Sequence, residues 1–305
     1  MQKATSIITQ SDGEKVFLYE WIPDGNFRGV IQLVHGMAEH AGRYAEFAGA
    51  AVKNGYAVFA ADHRGHGKTA GSKENLGYLA DSDGFNRVLE DQREINAMIQ
   101  QRYPQKPVYL IGHSFGSFIS QGYIEKYADT VKACILIGTS GPNPAAGVGK
   151  LLADSICAIR GRKKVSSLLQ ALSFGSFNKG IKNPQTPTDW LSRDANEVAK
   201  YNGDPYCGFA CTAGFYQDLL GGLRQIHRKE AMAAIPKEFP VLLLAGAADP
   251  VGNYGKSVKM LEAIYKGNGM KNVSCVLYEG ARHEILNETN KTEAMKDIFQ
   301  WLNKT

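Results

Sequence analysis

The sequence predicts an α/β fold: a doubly wound, mostly parallel sheet with an inserted helical cap. Three observations carry that prediction. Apolar, strand-like runs alternate with helical patterns, several loops after strands carry unusual polar residues, and the rhythm breaks once, between residues 140 and 227. Alternation of this kind builds parallel sheets whose ligands sit at the carboxyl ends of the strands. A chain of 305 residues is long enough for one large domain with an insertion. The expected division is 1–139 and 228–305 for the sheet domain and 140–227 for the cap.

Taken in order, 6–9 and 16–21 alternate apolar and polar residues around Ser11-Asp12-Gly13-Glu14, an antiparallel hairpin with an Asp-Gly turn. Residues 30–34 form the next strand and enter His35-Gly36-Met37-Ala38-Glu39-His40. Residues 44–53 repeat apolar side chains at helical spacing and stop at Asn54-Gly55, a C-cap signal. The strand 56–61 closes on Asp62-His63-Arg64-Gly65-His66-Gly67. An amphipathic helix spans 85–102, with Val88, Ile95 and Ile99 on its stripe, and Tyr103-Pro104 ends it. Pro107 opens four apolar residues, 108–111, suited to a strand buried on both faces. A helix from 114 to about 128 and a strand at 131–137 follow.

Residues 140–227 show only short helical stretches, at 148–159, 165–172 and 194–201, between loops rich in Gly, Pro and Asn. Most apolar residues between Leu151 and Tyr216 are expected to be core between cap and sheet, with a minority lining a channel. The sheet resumes at 241–246 and 273–278, with helices at 254–265 and 291–302.

The chemistry centres on Gly112-His113-Ser114-Phe115-Gly116, which joins a strand to a helix and matches Gly-x-Ser-x-Gly, the nucleophile elbow. Gly112 and Gly116 stand where a Cβ would crowd the turn. A serine hydroxyl is a poor nucleophile until an imidazole accepts its proton, and that imidazole needs a carboxylate to hold its tautomer. On this kind of sheet the partners follow in the order Ser, Asp or Glu, His, each after a strand. Asp249, after 241–246, and His283, after 273–278, satisfy order and placement together. The tetrahedral intermediate needs two backbone N–H donors; Phe115, next to the nucleophile, and Met37, after the third strand, are the candidates. His113 and Glu39 are candidates for binding substrate. His35, His63 and His66 are expected to hydrogen-bond loops, because no spacing among them resembles a zinc set. No metal and no cofactor is expected.

The stretches His35 to Tyr44, Asp62 to Gly67, Gly112 to Ser117, Asp249-Pro250-Val251-Gly252 and Arg282-His283-Glu284 closely resemble the monoacylglycerol lipase/lysophospholipase branch of the α/β hydrolases, a group often filed with the S33 serine aminopeptidases. The resemblance spans almost the whole core. In the cap it rests on Asp189-Trp190-Leu191-Ser192-Arg193-Asp194 and Asp204-Pro205. It implies a serine enzyme that hydrolyses fatty acyl esters such as monoacylglycerol or lysophospholipid, with the cap forming an apolar tunnel. Lys68-Thr69-Ala70 departs from it, since a serine usually follows Asp-x-Arg-Gly-His-Gly. The alternative substrate is the N-terminal residue of a short peptide, which would need cap carboxylates to hold a free amine; Asp154, Asp189, Asp194, Glu197, Asp204 and Asp218 are available. A sensor without turnover is disfavoured by the complete triad.

Composition bounds the partners. A net charge of +5 is mild, and its densest run, Arg160-Gly161-Arg162-Lys163-Lys164, lacks interleaved aromatics. It reads as a solvated turn, not a nucleic-acid site. The expected partner is a small acyl ester, with transient lipid-surface contact through the cap; no oligomeric state is specified. The five cysteines are odd in number and scattered, as free thiols of a reducing compartment would be. With no signal-peptide core, the expected location is the cytoplasm.

Overall fold

The computed structural model describes residues 1–305. Eight strands make one sheet: β1 (Gln2–Thr9), β2 (Lys15–Ile22), β3 (Gly29–Val34), β4 (Tyr56–Ala61), β5 (Val108–His113), β6 (Ala133–Ile137), β7 (Val241–Gly246) and β8 (Val273–Tyr278). Their order is β1-β2-β4-β3-β5-β6-β7-β8. The first hairpin is antiparallel, as is β2 against β4, and every later pair is parallel. The chain runs from β3 outward to β4 and then returns to β5 on the other side of β3. That reversal opens a crevice beyond the carboxyl ends of β3 and β5. The loop at His35 and the turn at Ser114 both emerge there.

Strands β3 to β7 are buried along their whole length. Successive side chains point to opposite faces, so one strand feeds two cores. Val30 and Val34 belong to the core that α2 (Gly84–Arg102), α3 (Phe115–Tyr127) and α9 (Lys256–Gly267) cover along the sheet. Ile31 and Leu33 pack with α1 (Ala45–Lys53) and α10 (Lys291–Leu302). The hairpin strand β1 begins at Gln2, four residues before the expected start, because its outer residues are exposed and carry no apolar alternation.

Between β6 and β7 lie α4 (Ala145–Arg160), α5 (Ser167–Phe174), α6 (Ala195–Gly203), α7 (Ala213–Ile226) and α8 (Lys229–Ala233). The sequence pattern does not announce α7. Gly221 and Gly222 sit inside it, and such a pair lowers helix propensity. Packing overrides propensity there: a Cβ on Gly222 would overlap the Phe85 ring of α2. The Thr212 hydroxyl caps the helix by accepting the Phe215 N–H.

The basic run departs from a solvated turn. Gly161 ends α4 at φ +85°, and Arg162 then turns inward to the Asp218 carboxylate of α7 at 2.7 Å. Only its neighbours Arg160, Lys163 and Lys164 face solvent. All five cysteines are free, with Cys134, Cys157 and Cys211 buried. No helix is long and apolar enough to cross a membrane.

Candidate active site

The site is built on the β5–α3 turn. Ser114 adopts φ +53° and ψ −120°, a conformation that side-chain-bearing residues rarely take. Such strain costs about 1–3 kcal/mol and persists only where the surroundings impose it. Here the Ser114 N–H donates to the Ile137 carbonyl of β6 at 2.9 Å, and the Ser117 hydroxyl donates to the Ser114 carbonyl at 2.6 Å. A Cβ on Gly116 would overlap the Val34 carbonyl, and one on Gly112 would overlap the Ser120 hydroxyl. Both glycines of the motif are thus required by close approach of the backbone.

Asp249 and His283 come from the loops after β7 and β8 and meet below the turn. His283 Nδ1 donates to Asp249 Oδ2 at 2.9 Å, and both side chains are buried. The other Asp249 oxygen accepts the Val251 N–H at 2.8 Å. This arrangement fixes the imidazole tautomer and leaves Nε2 for the Ser114 side, where both residues line one cavity. The Asp249–His283 link is formed, whereas the serine hydroxyl makes no hydrogen bond, as is common before substrate arrives. Gly138, at φ +57°, gives the imidazole room; a Cβ there would lie 3.0 Å from His283 Cε1.

The insertion reaches this loop. The His283 N–H donates to the Trp190 carbonyl at 3.3 Å and the Glu284 N–H to the Leu191 carbonyl at 2.7 Å. Arg282 gives its guanidinium to the backbone oxygens of Asp189 and Ser192, at 2.6 and 2.9 Å. Buried Glu288 adds a tie through Arg193 Nε at 2.9 Å. The Trp190 ring stands 5.0 Å from the His283 ring.

The amides of Met37 and Phe115 have no backbone partner. Phe115 opens α3, whose N-terminus carries partial positive charge. Met37 belongs to a loop pinned on both sides. The Gly36 N–H donates to Glu39 at 2.6 Å, and the Ala38 carbonyl accepts from the Gly208 N–H and the Tyr201 hydroxyl at 2.9 and 3.0 Å.

Glu39 and His113 touch the cavity, but their polar atoms turn away from it. Glu39 also accepts from Arg43 (2.6 Å), Tyr44 (2.8 Å) and His113 (3.2 Å). Arg43 continues into a two-pronged pair with Glu284, at 2.7 Å for each contact. Burial opposes charge on all of these groups; the Arg43 guanidinium nevertheless holds Glu284 and Glu39 below the usual carboxylate range. Sequence reasoning assigned no part to Arg43 or Glu284. The four-residue spacing of Glu39 and Arg43 was the available signal.

His35, His63 and His66 hydrogen-bond loops. His35 Nε2 accepts the His63 N–H at 2.9 Å, and His63 Nε2 donates to the His35 carbonyl at 2.9 Å. Burial drives His63 down to about 3 and His66 to about 4, so both are neutral at physiological pH. A convergence the spacing conceals is that of His40, Asp204 and Cys207, whose ligand atoms lie within 4.8 Å of one another. The 2.9 Å hydrogen bond from His40 to Asp204 accounts for two of them.

The cavity has a volume of about 1050 Å3. Leu152, Leu169, Phe174, Phe177, Phe209 and Tyr216 of the insertion line it. This overturns the expectation that few apolar residues there would do so. Because the insertion spans the crevice, its inner surface faces the cavity more than the sheet. Ile156 and Phe215 are packed as core, and Leu151 and Leu168 face outward.

The serine aminopeptidase S33 model matches residues 25–290 of this chain. The chain belongs to that family. It is 29% identical to the monoacylglycerol lipase of Mycolicibacterium smegmatis, over 95% of this chain and 93% of the relative. It is also 29% identical to human monoglyceride lipase, over 97% of this chain and 88% of the relative. A thermostable carboxyl esterase from Bacillus coagulans, solved with glycerol, matches with a TM-score of 0.93 and 29% identity, covering 100% of this chain and 99% of the esterase. Fold and family together make the chain an α/β hydrolase, and an enzyme of the serine hydrolase type.

Proposed function

We propose that the protein hydrolyses monoacylglycerol and related single-chain fatty acyl esters through an acyl-enzyme on Ser114. The supporting observation is the placement of the strained Ser114, backed by the Asp249–His283 pair, on the wall of a large and largely apolar cavity. In this reading Ser114 attacks the ester carbonyl while His283 Nε2 takes its proton. The Met37 and Phe115 amides receive the oxyanion. His283 then returns the proton to the leaving alcohol, and water attacks the acyl-enzyme by the same route in reverse. Residues 140–227 act as a cap that supplies the acyl-binding wall. The relatives' names, and the glycerol in the esterase crystal, favour a glycerol ester.

The peptide reading loses support from the insertion. None of its six candidate carboxylates lines the cavity. Asp154 is held by Lys150, Asp204 by His40 and Asp218 by Arg162, while Asp194 caps α6. Asp189 receives the Gln185 N–H, and Glu197 pairs with Lys200. A free substrate amine finds no unengaged carboxylate among them.

A lipid surface is the partner we assign to the outer face of α4 and α5. Val148, Leu151 and Ile159 of α4 are 73%, 67% and 84% exposed, and Leu168 of α5 is exposed as well. Exposed Arg160, Lys163 and Lys164 adjoin this face. Apolar residues next to cations suit an anionic interface.

Ser114→Ala is expected to lower turnover by at least about a thousandfold and to abolish labelling by a fluorophosphonate. Retained labelling would remove Ser114 as nucleophile. Rates across acyl chains from short to long, with glycerol, phosphoglycerol and arylamide leaving groups, test the substrate. Preference for arylamides or for the shortest acyl chains would overturn the lipid assignment and leave the triad standing.

A further inference from the structure

We propose that His113 is a buried imidazolium whose two protons hold the oxyanion loop and the His283 loop in register on either side of Ser114. This rests on the Ser114–His283–Asp249 reading above and assigns a positioning residue, not a reacting group. His113 is the last residue of β5 and its ring is almost wholly buried. Nδ1 lies 2.8 Å from the Tyr44 hydroxyl and 3.2 Å from Glu39 Oε1. Tyr44 donates its own proton to Glu39, at 2.8 Å, so its oxygen is left to accept from His113. Nε2 faces the backbone oxygen of His283 at 3.4 Å.

Both ring nitrogens therefore meet acceptors. A neutral imidazole has one donor and one acceptor nitrogen, so either tautomer would set a lone pair against oxygen. The imidazolium satisfies both sides. Charge balance agrees. Glu39 and Glu284 bring two negative charges into the interior, and Arg43, bonded to both, brings one positive charge. A second proton on His113 makes the four-group set neutral; without it, a buried negative charge stays uncompensated, which is costly. Burial opposes that proton and the Glu39 carboxylate favours it, with help from Glu284 and against Arg43. The balance lies above the ordinary histidine value.

The charged and titratable groups facing His113 are Glu39, Arg43 and Tyr44 from the segment after β3, and His283 and Glu284 from the segment after β8. Through Glu39 the ring is tied to the Gly36 N–H, and so to the Met37 amide beside it. Through Nε2 it is tied to the backbone of the general base. The ring centres of His113 and His283 are 4.9 Å apart.

Protein labelled with 15N-histidine decides the protonation state. At pH 7 two N–H correlations are expected from the His113 ring, assigned by their loss in His113→Gln. A single protonated nitrogen would overturn the proposal. Should His113→Gln fail to fold, Tyr44→Phe perturbs the Nδ1 side alone and supplies the assignment. In kinetics, His113→Gln should lower kcat more than it raises KM. A rise in KM with kcat unchanged would mean packing alone and would also overturn it. Failure of Ser114 labelling would instead overturn the triad, because the protonation state of His113 is read without turnover.

Discussion

Glu284 shows how a residue next to His283 can matter through a buried partner. Both of its oxygens are bonded to Arg43, and both partners are buried. Removing one partner of such a pair strands a charge in the interior. Glu284→Gln is expected to cost about 3–5 kcal/mol at neutral pH, read from urea midpoints. The pH dependence follows from the lowered pKa. Unfolded, the group titrates near 4.5; folded, it titrates lower. Its stabilisation is therefore complete above the unfolded value and is lost as pH falls through the folded one. The gap between wild type and variant should shrink on moving from pH 7 to pH 3, and a constant gap would contradict the charge-based account.

At this same scale the proposed triad was legible because Ser114, Asp249 and His283 follow strands in a fixed order. The Arg43 network was not. Glu39, Arg43 and Glu284 lie up to 245 positions apart in the chain, and nothing local marks a charge that will be buried. Trp190 was quoted as part of a motif, yet its ring beside His283 depends on how the insertion folds back.

Among the elements, α7 carries the clearest lesson. Its two glycines weaken the periodic signal, and the sequence pattern misses the helix that bridges α4 to α2 and α3. The two are not equivalent. A Cβ on Gly221 would meet only the flexible end of Lys150, at 3.3 Å, whereas on Gly222 it would overlap Phe85. Gly221→Ala is expected to stabilise the protein by about 0.5–1 kcal/mol through helix propensity. Gly222→Ala is expected to destabilise it by about 1–3 kcal/mol through overpacking. Urea unfolding of the two variants checks both signs. The strands were easier to read. Each of β3 to β7 is an apolar run buried on both faces, and its neighbouring turn residues bound it.

At the level of the whole molecule, a sheet that places chemistry at one edge is covered by an insertion whose outer face is apolar in one region. Leu151 and Ile159 are exposed and do not line the cavity. Changing both to Asp should reduce co-sedimentation with anionic phospholipid vesicles by about tenfold or more, since each buried side chain contributes roughly 1.5–3 kcal/mol. Hydrolysis of a water-soluble short-chain ester should be unaffected. Unchanged vesicle binding would remove α4 as the docking face. Apart from the start of β1, the sheet domain was readable because its alternation is regular. The insertion was read poorly, since its helices answer to a cavity and a surface as well as to a core.

The backbone ties between 189–192 and the segment around His283 set a rule for modularity. In the linear chain the insertion looks like a detachable lid, bounded by two strands. In three dimensions one of its turns is part of the seat of His283. The unit that can be exchanged between relatives is therefore discontinuous, comprising the insertion together with 282–288. Change is therefore tolerated best on the exposed faces of α4 and α5, and least where 189–192 share backbone hydrogen bonds with 282–284.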